Sequence, residues 1–101
     1  MAKKTVIYWR DIPAQVIMQR GRVREKVHLN PRFQEAIDRA AMRAGKGSSD
    51  AYIAEWRRET SVSTESGDLR VMAGQEAREL EETYSSERLL ELIHNHGSEQ
   101  K

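Results

Sequence analysis

Residues 5–13, Thr5-Val6-Ile7-Tyr8-Trp9-Arg10-Asp11-Ile12-Pro13, decide the fold. Five β-branched or aromatic side chains in a row favour a strand, and the charged pair that follows, then Pro13 with no amide proton for a ladder, marks its end. A first strand is therefore expected over Thr5 to Trp9. Downstream, Ala14 to Arg20 leads to Gly21, and the stretch Arg22 to Leu29 then alternates. Val23, Val27 and Leu29 fall on one parity, Arg22, Arg24, Lys26 and His28 on the other, as in a half-buried strand. Glu25 breaks the apolar parity, which asks for a bulge or an edge position near it. Gly21 is placed to close a hairpin, although its flanks lack the Asn-Gly or Asp-Gly signature. The opening third reads as a β-meander.

Helices follow. Asn30-Pro31 is a strong start, because Asn accepts bonds from free amides as N-cap and Pro loses nothing at the first helical position. Phe33, Ala36, Ile37, Ala40, Ala41 and Ala44 then form one apolar stripe that Gly45 ends. After the loop Lys46-Gly47-Ser48-Ser49-Asp50, a shorter helix is expected with Tyr52, Ile53 and Trp56 on one face, ending around Arg57-Arg58-Glu59. Thr60 to Thr64 has the β-branched content of a short edge strand, ahead of a turn at Glu65-Ser66-Gly67-Asp68. Leu69, Ala73, Ala77, Leu80 and Tyr84 recur at helical spacing; the competing pattern makes Leu69 to Ala73 a strand and starts the helix after Gly74. Ser85 or Ser86 caps a last helix with Leu89, Leu90, Leu92 and Ile93 on its apolar face, and Arg78 and Glu82 are spaced to pair on an exposed side. The expected fold is α+β: an antiparallel sheet of three strands, four if Thr60 to Thr64 joins, packed with three or four helices. A single domain over residues 1–97 is expected, with 98–101 a frayed tail and the loosening already under way at His96.

A chain of 101 residues can bury one core, which excludes a multidomain enzyme. With no cysteine, disulfides, thiolate metal sites and cysteine nucleophiles are excluded too. The run Thr5 to Trp9 is far too short for a membrane span, so a cytoplasmic protein is expected. The formal charge of +1 hides an asymmetry. Residues 1–46 carry 11 Lys and Arg against 4 Asp and Glu, a net +7; residues 47–101 carry 6 against 12, a net −6. The positive charges are interleaved with apolar residues, which favours attraction between the two halves inside one domain.

Motifs that would demand chemistry fail on spacing. Ala44-Gly45-Lys46-Gly47-Ser48-Ser49 echoes a phosphate loop, but a helix precedes it and Gly, not Ser or Thr, follows the lysine. His94 and His96 are close to the chain end with only His28 to join them, so exposed histidines are expected and no metal site. Glu76, Glu79, Glu81 and Glu82 spread around a helix as a solvated face. The hydroxyls of Thr60 to Thr64 have no nucleophile elbow around them. No catalytic residue, cofactor or metal is expected.

What remains is a surface. Arg20, Arg22, Arg24 and Lys26 lie alongside Tyr8, Trp9 and Arg10, and Tyr, Trp and Arg are the residue types enriched at interaction hot spots. A partner protein on this hairpin face is the first expectation, RNA or single-stranded DNA on its basic row the alternative. Trp9 and Trp56 themselves suit the core or a sheet cover better than a stacking platform.

Three blocks carry a resemblance: Tyr8-Trp9-Arg10-Asp11-Ile12-Pro13-Ala14-Gln15-Val16, then Phe33-x-x-Ala36-Ile37-Asp38-x-Ala40-Ala41-Met42-Arg43-Ala44-Gly45, then Asp50-Ala51-Tyr52-x-x-x-Trp56. The chain resembles the small bacterial virulence factor domain family and a segment of the larger staphylococcal conserved virulence factor C. The resemblance implies a stand-alone bacterial domain without an assigned reaction, whose larger relatives join it to scaffold-like and helical-repeat segments. It also implies an accessory role beside one-carbon and folate enzymes, and it transfers no catalytic residue. The combined expectation is a non-catalytic interaction or accessory module.

Overall fold

The structure, a computed structural model, describes residues 2–45, 49–63 and 67–98. The expected loop residues Lys46 to Ser48, Thr64 of the expected edge strand, the turn residues Glu65 and Ser66, and the tail from Glu99 onward lie outside the described residues. Along the chain come β1 (Ala2–Trp9), β2 (Ile12–Arg20), β3 (Val23–His28), α1 (Pro31–Arg43), α2 (Ser49–Ala54), β4 (Trp56–Ser63), α3 (Leu69–Thr83) and α4 (Ser86–His94). The strands form one antiparallel sheet in the order β3-β2-β1-β4, so the fold is α+β with the fourth strand present.

β1 and β2 are joined by the turn Arg10-Asp11, where Arg10 adopts a positive φ of 54°. Pro13 therefore lies inside β2, near its start. It is tolerated because the ladder is irregular there: Ile7 faces Gln15 and Tyr8 faces Pro13, which leaves Ala14 as an extra residue. Glu25 sits opposite Met18 in regular register, so the departure from apolar parity marks an edge strand and not a bulge.

β4 corrects the expected second helix. α2 stops at Ala54, and Trp56 pairs with Trp9 as the first residue of a strand that runs through Arg57-Arg58-Glu59. Ile53, expected on the buried face, is 64% exposed. Spacing alone admits one more helical turn, but the free edge of β1 offers a ladder eight residues long, which satisfies far more backbone groups. The strand alternative for Leu69 to Ala73 is also replaced by helix. The Asp68 carboxylate accepts from the amides of Arg70 and Val71 at 2.8 and 3.2 Å, capping α3, which continues through Gly74. The caps of the other two long helices agree with the sequence: Asn30 accepts from Arg32 N–H at 3.0 Å, and Ser85 from Arg88 N–H at 3.2 Å.

Two helices, α1 and α3, pack directly against the sheet. α3 packs on β2 and β3, and α1 on β2 and α4. Phe33, Ile37, Met72, Ala77, Leu89 and Ile93 meet Val6, Val16 and Met18 in one apolar cluster. Three polar contacts fix the same side: Lys4 Nζ to Glu76 Oε1 at 2.9 Å, Arg70 Nε to Glu25 Oε1 at 3.4 Å, and the Arg20 guanidinium to Met72 Sδ at 3.9 Å. Two of the expected solvated glutamates are thus engaged, since Glu81 also accepts from Asn30 N–H at 2.8 Å. The expected Arg78–Glu82 pair does not form; both side chains face solvent at a helix surface, where such a pair is worth little. Attraction between the halves is realised by Lys4–Glu76 and Arg10–Glu55, while Arg57–Asp11 and Arg70–Glu25 run the opposite way along the chain.

At the far end of β1 the chain ties a knot of contacts around Trp9, which is fully buried. Its indole N–H donates to the Tyr52 carbonyl at 2.9 Å, and its ring stacks on Tyr52 with centroids 5.9 Å apart. His96 and Gly97, expected to fray, close over it. Arg10 donates to the His96 carbonyl at 2.9 Å, Asp11 N–H to the Gly97 carbonyl at 2.8 Å, and Gly97 N–H to the Leu92 carbonyl at 2.6 Å. A Cβ on Gly97 would lie 2.8 Å from Cζ3 of Trp9.

Candidate interaction surface

The side of the sheet away from the helices follows from the register. Directly paired residues point the same way, and successive residues along a strand alternate. Reading from β4 through β1 and β2 to β3, the first row is Val62, Lys3, Gln19, Arg24. The second is Thr60, Thr5, Ile17, Lys26, and the third Arg58, Ile7, Gln15, His28. This grid contains no carboxylate. Lys3, Arg24, Lys26 and Arg58 carry positive charge at its periphery, and all four are exposed. Its middle is neutral: Thr5, Ile7 and Gln15 are half-buried, and Ile17 is 4% exposed.

Ile17 is informative because it stands outside the apolar cluster that joins sheet and helices. Its direct and diagonal neighbours on the grid are the side chains within reach to cover it. The long stems of Lys26 and Gln19 can do so while their polar ends stay in water. The hydroxyls of Thr5 and Thr60 are 3.1 Å apart in the same row. Gln15 Oε1 is buried with no hydrogen-bond partner among the described residues.

Charges divide between the two sides of the sheet. Helix-side cations are engaged: Lys4 with Glu76, Arg57 with Asp11 at 3.2 Å and Glu59 at 2.8 Å, and Arg20 with the Gly67 carbonyl at 2.8 Å. Among the described residues, Lys3, Arg24, Lys26 and Arg58 enter no ion pair. The exposed helix positions carry Glu35, Asp38, Glu79, Glu82, Glu87 and Glu91 among fewer cations. The asymmetry along the sequence thus becomes an asymmetry between layers, with the bare sheet face positive.

The seven residues singled out from sequence are separated by this geometry. Arg24 and Lys26 lie together on the bare face, two residues apart on edge strand β3. Arg22 is exposed in the β2–β3 turn beside them. Arg20 points to the helix side. Tyr8 is half-buried under the Arg57 guanidinium, 4.5 Å from its ring centroid, and Arg10 is held by Glu55 and His96. Trp9 is in the core. Two participants were hidden from the sequence: Lys3, because β1 begins three residues before the β-branched run, and Arg58, because its segment had helical spacing. Lys3 shares a row with Arg24 through the pairing of β1 with β2 and β2 with β3, and the pairing of β1 with β4 brings Arg58 to the same side.

Chemically, the face has a cationic rim around a neutral, partly apolar centre, an arrangement complementary to negative charge. None of the described aromatic side chains belongs to the three rows; the next row by register is Trp56, Trp9, Ile12, where Trp9 and Ile12 are buried and Tyr52 of α2 packs on both tryptophan rings. Among the described residues no helix is long and apolar enough to cross a membrane.

A family model described as "Virulence factor" matches residues 7–93, from within β1 to α4. No curated protein and no solved structure matches the chain.

Proposed function

The chain belongs to the virulence factor family, and on that premise we propose that it is a non-catalytic interaction module whose bare sheet face docks a partner protein in the cytoplasm. The observation that carries this is the carboxylate-free grid, whose four cations around Ile7 and Ile17 enter no ion pair among the described residues. Within one sheet the other face is both covered by helices and charge-balanced, so the bare face differs by composition as well as by exposure. Complementary charge steers such encounters and selects against like-charged partners. An accessory subunit of a one-carbon or folate enzyme, which the resemblance implies, is the kind of role this module fills.

The test is a comparison of three proteins. Tagged wild type, a bare-face variant (Lys3→Glu, Arg24→Glu, Lys26→Glu, Arg58→Glu) and a helix-layer control (Arg39→Glu, Arg43→Glu, Arg78→Glu) are used to capture partners from native cytoplasm. A partner held by wild type and control but lost from the bare-face variant supports the reading. The same set retained by all three overturns it.

RNA or single-stranded DNA is the second reading, favoured by one observation. Arg24, Lys26 and His28 follow at every second residue of β3, about 6.8 Å apart, a spacing that suits a phosphate chain. Lacking an aromatic platform in the three rows, such binding rests on phosphate contacts and falls steeply with salt. A flat titration with mixed oligonucleotides at low salt eliminates it.

A further inference from the structure

β3 is an edge strand whose two sides make different demands on a neighbour. Its bare-face positions, Arg24, Lys26 and His28, are exposed cations or a histidine. Its other parity carries Val23, 57% exposed, and Val27, half-buried, with Glu25 between them already held by Arg70. No residue from 22 to 28 makes a backbone hydrogen bond to any described element other than β2. A chain added to this edge places its side chains directly opposite those of β3, alternating between the same two faces.

Resting on the docking function above, we propose that the partner contributes an extended segment that adds to β3 as a fifth strand, with carboxylates on one parity and apolar residues on the other. The carboxylates lie beside Arg24 and Lys26, which among the described residues have no acidic neighbour in the three rows of their face. The apolar residues cover Val23 and Val27 at the rim of the α3 layer. Main-chain bonds supply affinity in strand addition, and alternate side chains supply specificity. β4, the other edge, does not offer this pattern: Arg58, Thr60 and Val62 alternate with Arg57, Glu59 and Ser61, so neither parity has one chemical character.

The test uses the full chain and a synthetic probe, acetyl-(Glu-Val)4-amide, with two relatives: a block peptide of identical composition, (Glu)4(Val)4, and the alternating peptide N-methylated at every second residue. Affinity is read by calorimetry and backbone protection by amide hydrogen exchange. The alternating peptide is expected to bind at least tenfold more tightly than either relative, to slow exchange at amides of β3, and to lose at least tenfold in affinity with Arg24→Glu plus Lys26→Glu. Equal binding of the block peptide shows that charge alone acts, and overturns strand addition. Protection at β4, or tighter binding of an oligonucleotide than of the peptide, overturns it as well. If the peptide fails to bind while the bare-face variant still loses its captured partner, strand addition falls and the docking function stands.

Discussion

Gly97→Ala probes the knot at the end of β1, and its cost can be worked from two separable terms. Gly97 has φ 90°, a left-handed backbone that costs an L-residue about 1–2 kcal/mol. The new methyl would also sit 2.8 Å from Cζ3 and 3.2 Å from Cε3 of Trp9, inside ordinary carbon contact distance. Trp9 cannot yield cheaply, because it is fully buried and its indole N–H is fixed to the Tyr52 carbonyl. Overpacking of this kind costs about 1–3 kcal/mol, giving a total of roughly 2–5 kcal/mol. Gly45→Ala is the matched control: its φ is 71°, and nothing lies within 4 Å of the position a Cβ would take. It should lose only the backbone term. Urea unfolding followed by tryptophan fluorescence gives both values, and each kcal/mol should lower Tm by about 4–8 °C in a domain of this size. If Gly97→Ala costs no more than Gly45→Ala, the C-terminal turn is not packed on Trp9 and the account of this knot is wrong.

Other substitutions test individual links. Trp9→Phe keeps much of the ring but strands the Tyr52 carbonyl, and should destabilise by about 1–3 kcal/mol in the same unfolding assay. Asp68→Ala removes the cap of α3 and should cost about 1 kcal/mol, recovered in large part by Asp68→Asn, whose side chain also accepts from the free amides. Gln15→Leu replaces a buried acceptor without a partner; it should raise stability by about 1 kcal/mol, and an unchanged or lower midpoint would mean that this oxygen is satisfied in solution.

Local chemistry was strong enough to be legible where the partner of each residue lies nearby. The meander from Thr5 to Leu29, the Asn30-Pro31 helix start and the Ser85 cap are all written within a few residues of where they act. The segment from Tyr52 to Ser63 is different, because Trp56 becomes strand only when Trp9 lies beside it. The candidate face is harder to read for the same reason. Arg24 and Lys26 could be picked out by alternation, but Lys3 and Arg58 join them through pairings across the chain, which no window of local sequence contains. Tyr8, Trp9 and Arg10 are interaction candidates by residue type, although Trp9 also suits the core. Their roles are structural, set by Tyr52, Glu55, Arg57 and the turn at His96-Gly97.

The placement of β1 between β2 and β4 also orders events in time. Its pairing with β2 needs only the closing of a two-residue turn, whereas β4 arrives after α1 and α2 and brings contacts about fifty residues apart, a high contact order for one of the three strand pairings. Loop-closure entropy therefore favours a meander that forms first, with the second edge of β1 open until Trp56 docks beside Trp9. In that interval the sheet has a vacancy next to its central strand, the kind of template on which chains exchange segments or aggregate. Arg57 and Arg58 enter this edge together with Glu59, and their charge makes β4 a poor match for a second copy of itself while leaving it able to complete its own sheet.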